Sequence, residues 1–180
     1  MLRLRRIAGP SEQVIERGFK VSSWLDANER ASGAILSIDG EAMWRCRTEP
    51  SRHPHSPLNI LRKPDFVVSD LQGCDVVQIR RTSRLPPRFD IVREGQIVGH
   101  IALRSVFRTR YTIALTTGAT WSFHMPLYTV AYWGRSSTGS SMWVFLDSRK
   151  CWRLLFEDED VGLETLSAMA FIHREQWCYN

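Results

Sequence analysis

The chain has 180 residues, 43% of them hydrophobic and 11% aromatic, with seven tryptophans. That is enough apolar material for one domain with a real core and too short a chain for two, and it excludes global disorder. The formal net charge is +5, and Lys20, Lys63 and Lys150 are the only lysines, so arginine carries nearly all the basic charge. Such a chain attracts phosphates and anionic membranes, although a general coding bias toward arginine gives the same excess. The basic residues are too dispersed to point to a nucleic-acid partner.

Residues 1–30 carry few signals and are expected to form an N-terminal extension packing on the domain, which spans 31–180. Residues 1–6 have charge but no apolar stretch behind it, so no secretion signal is read. Residues 11–17, preceded by Pro10, suit a short helical turn. No window approaches 18 consecutive apolar residues, and no transmembrane segment is expected. Cys46, Cys74, Cys151 and Cys178 are widely spaced, without the paired spacing of a zinc site, and are expected as reduced thiols in a cytoplasm.

From residue 34 the reading is of hairpins. Residues 34–38 and 41–46 flank Asp39-Gly40, a dipeptide suited to a tight hairpin turn. Residues 47–64 hold Pro50, Pro54, Pro57 and Pro64 and read as a long loop. Three similar units follow. Each opens on an aromatic residue (Phe66, Phe89, Tyr111), turns at a glycine (Gly73, Gly95, Gly118) and continues in a second extended run. The opening aromatics recur at spacings of 23 and 22 residues. Tyr111, Ile113 and Leu115 alternate with Thr112 and Ala114, the period of two that marks a half-buried strand. Residues 128–133 and 142–146 read as strands joined by a polar loop over 134–141, and 152–156 as another.

After Phe156 the pattern changes. Residues 157–160 are all acidic, and 161–176 read as a helix with His173 and Arg174 near its end, charges that complement a helix dipole. Leu166, Ala168, Met169, Ala170, Phe171 and Ile172 leave almost no polar face. A helix apolar all round must be buried, and this one is too short to cross a bilayer. The expected fold is therefore mainly β, with roughly ten to twelve strands in a barrel or two packed sheets, and a ring of strands is the natural enclosure for the apolar C-terminal helix.

The hairpins at 66–79 and 89–101, and the apolar helix over 163–177, resemble the tubby C-terminal-like superfamily, which includes the phospholipid scramblases and the plant LURP-one-related proteins. The resemblance covers roughly residues 30–178 and lies in residue-type patterns. It implies a closed antiparallel barrel of about twelve strands around an apolar C-terminal helix. It also implies a binding module for a phospholipid headgroup at a membrane surface, without implying which residues make the contact. Calcium sites and palmitoylated cysteine stretches of the scramblase kind are absent from the pattern.

No nucleophile elbow, phosphate-cradling glycine loop or zinc-protease motif occurs, and no enzyme activity, cofactor or metal is expected. His53 and His55 offer two imidazoles, with Asp65 or Asp70 as a third ligand, but nothing in the sequence places them together and an exposed loop is the plainer reading. The best candidate surface is basic. Arg80, Arg81, Arg84 and Arg88 occupy one connection between hairpins, and Arg104, Arg108 and Arg110 occupy the next but one. Alternate connections of a meander fall at one end of the sheet, so these arginines are expected on one rim facing an anionic ligand such as a phospholipid headgroup. A solvated rim with ordinary ion pairs is the plainer alternative. A protein-interaction domain using Trp24, Trp44, Trp133, Trp143 or Trp152 as surface anchors is the competing function.

Overall fold

The computed structural model describes residues 18–22, 32–37, 41–49, 65–84, 86–103, 110–124, 131–148, 151–157 and 161–177. They form twelve strands and one helix: β1 (Gly18–Ser22), β2 (Ser32–Ser37), β3 (Ala42–Glu49), β4 (Asp65–Ser69), β5 (Asp75–Arg84), β6 (Pro87–Arg93), β7 (Gln96–Leu103), β8 (Arg110–Leu115), β9 (Thr120–His124), β10 (Ala131–Ser136), β11 (Ser141–Ser148), β12 (Cys151–Phe156) and α1 (Leu163–Trp177). The protein is mainly β, with one antiparallel sheet and one C-terminal helix.

From β2 to β12 each strand pairs antiparallel with its sequence neighbour. β1 is the exception in position. It pairs with β12 through Phe19 opposite Leu154 and Val21 opposite Trp152, and with β2 through Phe19 opposite Ser37 and Val21 opposite Ile35. Register shifts at Ile35/Leu36, Val68/Ser69, Arg81/Ser83, Ile91/Val92 and Leu146/Ser148 add local bend and twist, which lets the sheet curl.

The sheet curls around α1. Every residue from Thr165 to His173 is buried. Phe171 meets Phe66 of β4 and Phe89 of β6 edge to face, at centroid distances of 5.6 and 4.7 Å. On the other side His173 stacks on Trp152 of β12 at 4.7 Å and meets Tyr132 of β10 at 5.9 Å. Rings dominate this core because each removes a large apolar area from water and its edge-to-face contacts add to that burial. Thr165, Ser167, Ala168 and Ala170 are small, which lets strands approach the helix from several directions.

Strand alternation follows from this enclosure. In β9, Trp121 and Phe123 are buried while Ser122 and His124 are exposed; in β10, Tyr132, Gly134 and Ser136 are buried while Trp133 and Arg135 are exposed. Gly134 is required by its neighbour: a Cβ there would lie 2.2 Å from Cδ1 of Phe123. β4 differs, with all five residues buried, polar Asp65 and Ser69 included.

The two ends of the sheet are unlike. One carries the compact turns between β4 and β5, β6 and β7, β8 and β9, and β10 and β11. The helix starts at this end, where Arg93 at the close of β6 bonds Glu164 at 2.7 Å. The opposite end carries the connections over 23–31, 50–64, 85–86, 104–109, 125–130 and 149–150.

Three expectations change. β1 lies within the segment read as an extension, so at Gly18–Ser22 that segment belongs to the sheet. The loop expected over 134–141 is shorter, because β10 runs to Ser136 and β11 starts at Ser141. Its turn is fastened by Ser136, whose Oγ accepts from Ser140 N at 3.0 Å and lies 2.7 Å from Thr138 Oγ1. Glu157, expected to serve the helix start, instead accepts from the backbone N–H of Ser141 at 3.0 Å. The expected turn at 11–17 lies outside the described residues.

Candidate functional site

The outer face of β3 to β7 is polar, and most of its charges are committed to one another. Arg47 on β3 donates Nε to Glu49 at 2.8 Å and Nη2 to Asp75 at 2.6 Å, and it also bonds Ser69 Oγ. Partial burial pulls its pKa down, but the bonds and charges of Asp75 and Glu49 outweigh that and leave it above the ordinary arginine value. Gln78 donates to Asp65 at 3.2 Å and accepts from Arg80 at 3.0 and 2.5 Å. Asp90, opposite Arg80 in register, lies 2.8 Å from His100 Nδ1. Arg93 is held above its ordinary pKa by its bond to Glu164. These pairs fix side chains in place; as exposed or half-exposed pairs, they contribute modestly to stability.

Against that background the arginines singled out by the sequence divide. The ends of β5 and β6 lie at the same end of the sheet as those of β7 and β8, as the meander requires. Arg80 faces outward but is engaged by Gln78. Arg81 is opposite Phe89, on the helix side, with its Cζ 5.9 Å from that ring's centroid and its Nε donating to Ser83 O at 3.1 Å. Arg84 pairs with Pro87 at the end of β5. Arg104 and Arg108 lie outside the described residues.

Arg88 and Arg110 remain. Both are exposed, and among the described residues neither has a hydrogen-bond or ion-pair partner. Arg88 is opposite Ala102, Ala102 is opposite Thr112, and Arg110 lies two residues before Thr112, so both arginines point outward. Two strands and two residues apart, their Cα atoms are separated by about 12 Å on standard sheet spacings. Exposed His124 is opposite Arg110 in register. Across this row of the outer face, Ser83 and Ala102 flank Arg88, and Thr112 and Ser122 follow in register; none of the four is a carboxylate. The result is a cationic patch with hydroxyl donors at the end of the long connections.

Two features escaped the sequence reading. The first is a cleft of about 560 Å³ over β2, β3 and β4, lined by Gly33, Ala34, Ala42, Arg45, Arg47 and Ser69 among others. The alternation of Arg45 and Arg47 around inward Cys46 is the signal that places both on one face. The second is inside: His173 Nε2 and the Tyr132 hydroxyl share a buried hydrogen bond. Burial pushes His173 down to about 3 and Tyr132 well above the ordinary tyrosine value, so both are neutral. His173, expected to complement the helix dipole, is instead a neutral core residue.

Of the tryptophans, Trp121 and Trp152 are buried, Trp44 and Trp143 half-buried, and Trp133 is 46% exposed with Arg135 5.8 Å from its ring centroid. Trp24, His53 and His55 lie outside the described residues. Asp65 is buried against Gln78, and Asp70 accepts from Cys74 N at 2.7 Å to close its turn. Among the described residues no three His, Cys, Asp or Glu side chains gather as metal ligands, and no helix is long and apolar enough to cross a membrane. Comparison of the chain with family models, curated proteins and solved structures finds no match.

Proposed function

We propose that the sheet closes into a barrel of the tubby C-terminal-like kind around α1, and that the protein is a non-catalytic module binding an anionic ligand, such as a phospholipid headgroup. The placement of β1 beside both β12 and β2 supports the closure. The observation that carries the function is the contrast among arginines. Arg47, Arg80 and Arg93 are engaged by acceptors, whereas exposed Arg88 and Arg110 share one face with no described partner. Guanidinium groups in that state retain all their donors for phosphate oxygens. A cytoplasmic protein bound peripherally to an anionic leaflet fits this reading.

Vesicle sedimentation tests it. Binding is expected to vesicles containing an anionic phospholipid at low salt, to fall as salt screens the charge, and to drop at least tenfold in R88E/R110E. Equal binding to neutral and anionic vesicles, or no loss in the double variant, overturns it.

A protein-interaction module is the second reading. Trp133 favours it, being a half-exposed ring that faces Trp143 across the β10–β11 pair with Arg135 beside it. Rings and arginine are the residue types enriched where binding energy concentrates.

A further inference from the structure

The cleft over β2 to β4 is separate from the Arg88–Arg110 face and differently built. Its residues Gly33, Ala34 and Ala42 carry little or no side chain, and this keeps it open. Arg47 and Ser69 are held by the bonds to Glu49 and Asp75 that neutralise Arg47. Arg45 is exposed, opposite Ser69 in register on one side and Ala34 on the other, and has no partner among the described residues. One uncompensated guanidinium therefore stands beside a lining of small residues. The volume lies within the range of small-molecule sites, and such sites combine an apolar lining with a few placed polar groups.

We propose that this cleft binds a small organic anion, with its carboxylate, sulfonate or phosphate against Arg45 and its apolar body along Gly33, Ala34 and Ala42. Arg47 does not supply the attraction, since Glu49 and Asp75 already balance it; it forms a fixed wall. The ligand is amphiphilic because a fully hydrated ion would leave the small-residue lining uncovered, and a neutral body would forgo Arg45.

Fluorescence titration of the full chain with the aromatic sulfonate 8-anilinonaphthalene-1-sulfonate tests this, with the uncharged N-phenyl-1-naphthylamine in parallel. Saturable binding of the sulfonate near one equivalent is expected, with the neutral probe weaker. R45A is expected to weaken the sulfonate about tenfold, the size of one charge-assisted hydrogen bond. Ala34→Leu fills the cleft without touching charge and is expected to weaken both probes. R88A/R110A is expected to change neither, which separates this site from the proposed headgroup surface. Absence of saturable binding, or indifference to both R45A and Ala34→Leu, overturns the proposal. Loss of binding only in R88A/R110A overturns it as well and places the probe on the other face.

Discussion

The ring of Phe123 lies against the backbone of Gly134 on the neighbouring strand, where a methyl group would stand 2.2 Å from its Cδ1. Phe123 is itself packed edge to face against Tyr132, so it has little room to retreat. Gly134→Ala is expected to lower unfolding free energy by about 1–3 kcal/mol, the usual cost of overpacking. A fall in urea midpoint at unchanged slope is the signature; an unchanged midpoint contradicts the packing described.

His173 makes stability depend on acid. Unfolded, its imidazole takes a proton near 6.5; in the fold, burial delays protonation to about 3. Between those values the unfolded chain binds the extra proton, so stability falls as pH drops from about 6.5 toward 3. Urea midpoints from pH 7 to pH 4 are expected to decline, and less steeply in His173→Leu. A parallel decline in both proteins removes His173 as the cause.

The Tyr132 hydroxyl is the one described hydrogen-bond partner of His173 Nε2, and His173 Nδ1 already has none among the described residues. Tyr132→Phe keeps the ring packing and leaves a second buried imidazole nitrogen unsatisfied. A loss of about 1–3 kcal/mol at pH 7 is expected from chemical denaturation.

Glu94 is the single described non-glycine residue at positive φ, at 50°, and it precedes Gly95 at 78°. Two successive positive φ values make the mirror-image turn that suits a two-residue hairpin. Asparagine tolerates this conformation better than glutamate. The Glu94 carboxylate reaches Arg93 only at 3.8 Å, an exposed and weak ion pair whose removal costs little. Glu94→Asn is expected to raise the thermal midpoint by a few degrees; a lower midpoint counts against the turn.

Cys46 is buried and its thiol is pushed up to about 12 by desolvation, while Cys74 is exposed. At pH 8 iodoacetamide is expected to modify Cys74 within minutes and to leave Cys46 protected until the protein is unfolded in urea. Peptide mass mapping resolves the two. Equal rates contradict the burial of Cys46.

The hairpin repeat was legible because local chemistry dictates it. Phe66, Phe89 and Tyr111 open their units and all become inward core residues, while Gly73, Gly95 and Gly118 all sit at positive φ. The helix was legible from composition, since Leu166 to Ile172 left no face for water. β1 was not, because Phe19 and Val21 are its only large apolar residues and a five-residue strand offers no sustained period. The candidate sites were less legible for a different reason. Tyr132 meets His173 across 41 residues, and Arg47 reaches Asp75 across 28. Local patterning shows which face a side chain takes, but not which partner satisfies it. Arg80 and Arg88 therefore looked alike in sequence and differ in the fold.

Because α1 follows all twelve strands, translation delivers the wall of this structure before its contents. Phe66 and Phe89 are made more than 80 residues before Phe171 exists to cover them. The nascent chain therefore holds unfilled, strand-rich surface until its final helix emerges. That interval exposes it most to aggregation and chaperone capture, and its cooperative folding must come after the helix has been made.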